Sequence, residues 1–319
     1  MGIIRGLTNF LFHDRNSRIR SKETLSQIQE TKSSVMNEVQ ALELQHKIDF
    51  LRDKTLHDHE SGISTEHYCD QEVVVSLTTF GERIDTVHLA IESIMQGSMR
   101  PNHIILWLAE DEFNGKNLPR TLLQQQGRGL EIAYCNDLKS YNKLIHSLHK
   151  FPNAAIITID DDIIYEYDLV ERLVNSHINH PNAVCACRMH RIRLDNNKKQ
   201  RSYLDWDLCI HDNIESPLNF PTGVGGVLYP PHCFNNEVLN STVFMDLCPK
   251  ADDIWFYAMA RLNNTPAIWT KTTRPEGYYR KLFISDDSLS FYNTDPTLRG
   301  NDIQFDKVCK HYHINLAEY

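Results

Sequence analysis

Between residues 72 and 187, apolar runs of strand length alternate with stretches of helical spacing, and this alternation constrains the fold more than any other feature of the chain. Val73-Val74-Val75-Ser76-Leu77 reads as a strand, and residues 85–96 as a helix with Val87, Leu89, Ala90, Ile91 and Ile94 on its apolar face. Residues 103–108 and 130–135 repeat the strand pattern, with helices expected over 119–126 and 140–150. A fourth strand over residues 154–159 follows the turn signal Phe151-Pro152-Asn153, and a helix over 168–177 leads to a fifth strand over 183–187. Short runs rich in β-branched residues belong to strands covered on both sides. The expected fold is therefore α/β, a mostly parallel sheet with helices on both faces.

The fourth strand runs straight into Asp160, Asp161 and Asp162. The carboxyl ends of strands are where open α/β sheets bind ligands. Adjacent carboxylates repel one another by roughly 1 kcal/mol per close pair even in water, so three of them invite a cation. All-oxygen ligands suit Mg²⁺ or Mn²⁺, which keep positions open for phosphate oxygens. Taken alone, the triplet is explained equally well as a solvated turn before the next helix. Further on, Thr222-Gly223-Val224-Gly225-Gly226 precedes a strand; its spacing is neither a dinucleotide fingerprint nor a P-loop, and a plain turn also accounts for it. Asp252-Asp253 then opens a helix with Phe256, Met259, Ala260 and Leu262 facing inward. Acids in a first helical turn complement the macrodipole, which explains one Asp better than two.

A chain of 319 residues with 41% hydrophobic and 24% charged residues is ordinary globular material, and a net charge of −9 without a long basic block argues against nucleic acid as a partner. The eight cysteines contain no Cys-x-x-Cys pair, so buried free thiols in a reducing compartment are expected. No apolar stretch approaches the ~18 residues of a membrane span, no signal-peptide pattern opens the chain, and Gly6 stands where a myristoylation signal has Ser or Thr. The expected location is cytoplasmic, or peripheral to the inner face of a membrane.

Residues 1–66 read as a separate helical extension. Ile3, Ile4, Leu7, Phe10 and Leu11 at helical spacing, with Arg5, Arg15, Arg18, Arg20 and Lys22, suit residues 1–22 to an anionic membrane surface or, equally, to packing against the main domain. Leu25, Ile28, Lys32, Val35, Val39 and Leu42 follow a 3-4 alternation, and Leu44, Ile48 and Leu51 resume a stripe after a register shift. This predicts a long helix or a helical hairpin and makes residues 25–51 the candidate for homo-oligomer formation. The polar segment 57–68, with Gly62, reads as a linker, and residues 189–222 as a long irregular insert.

In chain order, the segment Ser76-Leu77-Thr78-Thr79-Phe80-Gly81-Glu82-Arg83-Ile84, the Asp-x-Asp of residues 160–162, the glycine turn and the acidic pair resemble the GT-A glycosyltransferases, family-2-like, across residues 72–290. The resemblance implies a Rossmann-like GT-A domain with residues 291–319 packed on it as a tail. It implies transfer of a sugar from a nucleotide-sugar donor, uridine-linked, to a hydroxyl of a glycan or glycoconjugate, with inversion. Asp160 and Asp162 would hold Mn²⁺ or Mg²⁺, with His311 as a further ligand and Asp161 nearer the ribose or sugar. Asp253, with Asp252 as second choice, would be the general base. Thr78, Thr79 and Arg83 would meet the nucleotide, and Gly225 and Gly226 would form the turn beneath donor sugar and acceptor. Lys139, on the same sheet edge as the acids, is the candidate for the diphosphate, with Lys143 read as a solvated helix residue; Trp255 is a candidate for stacking on a sugar.

Two other readings stand beside this one. A metal-dependent nucleotidyltransferase uses similar sheets and paired acids, but its phosphate loop after the first strand is Gly-rich and basic, where this chain has Thr78-Thr79-Phe80-Gly81. A non-catalytic scaffold assembled through the N-terminal helices is the third.

Overall fold

The computed structural model describes residues 2–272, 280–282 and 289–317, with side chains described for 27–272, 282 and 292–317. The tail motifs at residues 274–279 and 285–288, and the side chains of the basic stripe within residues 1–22, lie outside the described residues. The chain divides into two compact units, Met1–Phe50 and Leu51–Tyr319. The first is most of one continuous helix, Gly2–His57, so the long-helix alternative holds over the hairpin. Among the described residues no helix is long and apolar enough to cross a membrane.

The second unit is α/β. Its strands are β1 (Val73–Thr78), β2 (His103–Ala109), β3 (Leu130–Cys135), β4 (Ala155–Thr158), β5 (Ile163–Ile164), β6 (Val184–Ala186), β7 (Met189–Arg191), β8 (Asn219–Pro221), β9 (Val227–Tyr229), β10 (Ala267–Trp269) and β11 (Arg280–Lys281). Seven of them form the central sheet in the order β10-β6-β9-β4-β1-β2-β3. The pairs β1–β2, β1–β4, β2–β3 and β6–β10 are parallel, whereas β9 runs antiparallel to both β4 and β6. Two short antiparallel ribbons, β5–β11 and β7–β8, stand apart from it.

Period-2 alternation sorts the strand residues between two cores. Val74, Ile105 and Ile156 face one side, with Leu144 and Ile145 of the helix Asn142–Lys150 and Ile254, Trp255 and Phe256 of the helix Asp252–Leu262. Val73, Val75, Leu77 and Ile157 face the other, with Val87 and Ile91 of the helix Val87–Met95 and Leu169 and Leu173 of the helix Leu169–Asn179. Helices thus cover both faces, as the near-continuous apolar strands require. A C-terminal helix, Gly300–His311, adds Phe305 and Val308 to the first core.

The compact unit begins earlier than the segment 57–68 suggests. Leu51 and Thr55 in the last turns of the long helix are fully buried, and Thr55 Oγ1 donates to Glu92 Oε2 at 3.2 Å. Glu92 also accepts from Arg128 Nη1 at 2.8 and 2.9 Å and from Gln125 Nε2 at 2.9 Å. Beyond the helix the chain is tied down by backbone bonds from Gly62 to Arg128 (2.8 Å) and from Ser64 to Pro101 (2.9 Å). The insert at 189–222 is an ordered arm: β7 and β8 pair through Met189–Pro221 and Arg191–Asn219, Arg191 grips Asp212 through both terminal nitrogens, and Tyr203, Trp206 and Phe220 pack with Phe305. All eight cysteines are free thiols.

Candidate active site

The β1–β4 register builds the first half of the site. Ser76 lies opposite Thr158. Continued past both strand ends, the same offset sets Thr79 opposite Asp161, and Thr79 Oγ1 donates to Asp161 Oδ2 at 2.6 Å. Arg83, in the 3₁₀ turn Gly81–Asp85, donates through Nη1 to Asp161 Oδ1 at 2.9 Å and reaches Asp162 Oδ2 at 3.3 Å. Its guanidinium also lies 4.9 Å from the centre of the exposed Phe80 ring. Burial pushes the Asp161 carboxyl above the usual range, while Thr79 and Arg83 pull it back down. Asp161 is thus turned inward and held.

The second half comes from distant sequence. Because β9 is antiparallel, the turn preceding it, Gly223–Gly225, lies at the edge where β1 and β4 end. Gly223 N–H donates to Asp253 Oδ1 at 3.1 Å and to Oδ2 at 3.3 Å. A β-carbon on Gly223 would stand 3.1 Å from Lys143 Nζ, 3.3 Å from Asp253 Oδ1 and 3.8 Å from Asp160 Oδ1, so a lysine and two acids converge on one backbone position. Lys143 Nζ donates to Asp160 Oδ1 at 2.9 Å and lies 3.2 Å from Asp252 Oδ2. That second contact is close enough for an ion pair but off-line for a hydrogen bond. Asp252 Oδ2 consequently remains a buried acceptor without a hydrogen-bond partner among the described residues.

The charges set the titration of the group. Burial opposes the charge on Lys143, but Asp160, Asp252 and Asp253 outweigh it and hold the ammonium pKa well above its ordinary value. Burial and then the neighbouring Asp252 push Asp253 up to about 7, against the opposing pull of Lys143 and the Gly223 amide. A carboxyl tuned to neutrality exchanges protons readily at physiological pH.

Thr79, Arg83, Asp160, Asp161, Asp162, Asp252 and Asp253 therefore gather at one sheet edge. Thr78 does not join them, its hydroxyl donating to Trp107 O at 2.9 Å. Gly226 takes φ +87 and backs onto Leu169, where a β-carbon would meet Cδ1 at 3.1 Å; within the turn, the amide that touches an acid is that of Gly223. His311 is exposed at the end of the last helix, its ring 4.7 Å from that of Tyr312, and none of the contacts described for it involves the acids. Trp255 is fully buried and donates to Val238 O, a core residue rather than a stacking surface.

The two lysines exchange the places expected of them. Lys139 pairs with Asp137 and leaves its side chain 66% exposed, whereas the Lys143 side chain is 9% exposed under the acids. Helical spacing marks Leu144, Ile145 and Leu148 as the inward face and leaves Lys143 outside it. The available signal is polar: Ser76 interrupts an apolar strand, and its hydroxyl meets Lys143 O at 2.5 Å and Ser147 Oγ at 2.7 Å. A polar seam between β1 and the helix Asn142–Lys150 thus leads to the lysine.

Among the described residues no three His, Cys, Asp or Glu side chains are grouped so as to hold a metal ion by themselves. The donor chemistry nonetheless fits a hard cation completed by substrate. Among the described residues five carboxylates stand against two cationic side chains and an Asp252 oxygen has no hydrogen-bond donor, and Mg²⁺ characteristically takes one or two carboxylates plus phosphate oxygens. No protein-family model matches the chain, and no curated protein matches it.

Proposed function

We propose that the chain is a GT-A-type glycosyltransferase that moves a sugar from a nucleotide-sugar donor to a hydroxyl acceptor with inversion. The observation that carries this reading is the convergence of Asp160, at the end of β4, with Asp253, at the start of a helix ninety-odd residues later, on the single amide position of Gly223. The sheet, parallel apart from β9, and the acids at its carboxyl edge support the same reading.

On this reading Asp253 is the general base. Its ionised carboxylate takes the acceptor's hydroxyl proton while the acceptor oxygen attacks the anomeric carbon, whose bond to the diphosphate oxygen breaks. A pKa near 7 lets Asp253 be ionised at neutral pH and still bind the proton it removes. The Gly223 amide orients that carboxylate, and Lys143 ties the donor-side acid Asp160 to Asp252, the neighbour of the base. Arg83 and Thr79 fix Asp161 and, with the exposed Phe80, form the wall offered to the nucleotide. Asp160 and Asp162 are the residues that would hold Mg²⁺ or Mn²⁺. When bound, the ion supplies Lewis-acid stabilisation of charge on the departing diphosphate.

The test is a turnover screen of nucleotide sugars with Asp253→Asn and Asp162→Ala. The expected result is release of nucleoside diphosphate, lost in D253N with donor binding retained, and loss of Mn²⁺-dependent nucleotide binding in D162A. Pyrophosphate as the product would replace this reading with nucleotidyl transfer.

A further inference from the structure

Arginines withdrawn from water in the second compact unit meet carboxylates: Arg83 pairs with Asp161, Arg128 with Glu92, Arg172 with Asp168 and Arg191 with Asp212. Arg188 does not. It stands two residues past the end of β6 and is half-buried, yet no carboxylate among the described residues lies within ion-pair distance of it. Its Nη1 donates to Thr222 Oγ1 at 3.1 Å, and the Thr222 amide donates to the Arg188 carbonyl at 3.1 Å. The other guanidinium N–H groups meet no acceptor among the described residues. Lys271, two residues past the end of the neighbouring strand β10, is exposed and likewise has no carboxylate partner among them. A charge partly removed from water without a counter-charge is costly, and its counter-charge then comes from a ligand.

The place of Arg188 on the sheet edge says which ligand. In the strand order β1, β4, β9, β6 the edge presents Thr79 and Arg83, then Asp160 to Asp162, then the turn that holds Asp253, then Arg188. The guanidinium therefore lies across the base from the wall offered to the nucleotide. Thr222, which it grips, directly precedes Gly223, whose amide orients Asp253. Burial raises the pKa of the Tyr203 hydroxyl, Arg188 lowers it and Asp253 raises it again, so one side chain of the arm senses both groups. We infer that Arg188 binds an anionic group of the acceptor, a carboxylate or phosphate close to the hydroxyl that is attacked, with Lys271 widening the positive rim; this rests on the glycosyltransferase reading. Arg83 and Lys143 are committed to the protein's own acids, whereas the planar fork of Arg188 is open to a bidentate partner. It also offsets the repulsion that an anionic acceptor meets on entering a site lined by carboxylates.

The experiment is calorimetric titration of the full chain with D-glucuronate, glucose 6-phosphate and glucose, with and without UDP and Mn²⁺, comparing Arg188→Gln, Arg188→Lys and the unaltered chain. The expected result is that one anionic sugar binds at least about tenfold more tightly than glucose, that R188Q removes this preference and that R188K keeps part of it. Preference for glucuronate assigns a carboxylate to the acceptor, and preference for glucose 6-phosphate a phosphate. UDP affinity should be the same in all three chains. No preference over glucose up to about 30 mM, or a preference that survives in R188Q, overturns the inference. So does a loss of UDP affinity in R188Q, which would place the guanidinium on the donor diphosphate. If R188Q does not fold, an unweakened anionic sugar in R188K overturns it instead. A chain that ignores UDP and Mn²⁺ yet binds an anionic sugar through Arg188 would retain the anion site and lose the glycosyltransferase reading, so the two fail separately.

Discussion

Asp253 is where burial and chemistry meet most closely. Its folded pKa of about 7 lies above the ordinary 3.8, so the folded protein holds this proton more tightly than the unfolded chain does. The contribution to stability is therefore complete at low pH and declines as pH rises through the interval from about 4 to 7. On the proposed function activity has the opposite sign, since there only the ionised carboxylate can act as base: the rate of transfer should climb to a plateau above pH 7. In D253N that limb should vanish, with the plateau rate down about 10²–10⁴-fold, as a pH–rate series would record. Lys143→Met removes the ammonium that pairs with Asp160 and Asp252 and should cost about 3–5 kcal/mol in urea unfolding at pH 8, because it strands buried carboxylates. A K143M chain as stable as the unaltered one at pH 8 would remove that lysine from the cluster.

At the scale of elements, two glycines of one turn should respond differently to the same substitution. Gly223→Ala leaves the backbone in an allowed conformation but sets a methyl 3.1–3.8 Å from Lys143, Asp253 and Asp160, so activity should fall at least about tenfold with stability nearly unchanged. Gly226→Ala forces a side chain onto φ +87 against Leu169 and should lower stability by about 1–3 kcal/mol. Steady-state kinetics beside thermal melts distinguish the two. The elements themselves were largely legible in the sequence, because β1 to β4 and their helices rest on local periodicity: the strand expected over 130–135 is β3, and the helix expected over 119–126 is Arg120–Gln126. What escaped depends on distant partners. β7 and β8 are three residues each and pair across the arm, β10 is a three-residue edge strand, and the burial of Lys143 arises only when acids from two distant segments, Asp160 and the pair Asp252-Asp253, meet. The acids were legible because their positions at strand and helix ends are local, whereas the role of Gly223 required the fold.

At the scale of the whole molecule, the boundary at residue 50 predicts how the chain can be divided. Removing residues 1–50 should leave a unit that melts cooperatively and retains the donor binding proposed above. Removing residues 1–57 also takes Leu51 and Thr55, which are fully buried, and deprives Glu92 of a partner, so its melting temperature should drop by several degrees more. Equal melts for both truncations would make the last turns of the helix an ornament. The antiparallel course of β9 matters beyond strand counting. A strand that enters from the edge where its neighbours leave delivers the preceding chain, the arm of 189–222, in front of the acids, while its own residues stay locked between β4 and β6. Outside its core residues Tyr203, Trp206 and Phe220, that arm can be lengthened or shortened without rethreading the sheet. On the proposed function, descendants of such a chain would have one segment in which to vary the acceptor while the acids behind it are inherited intact.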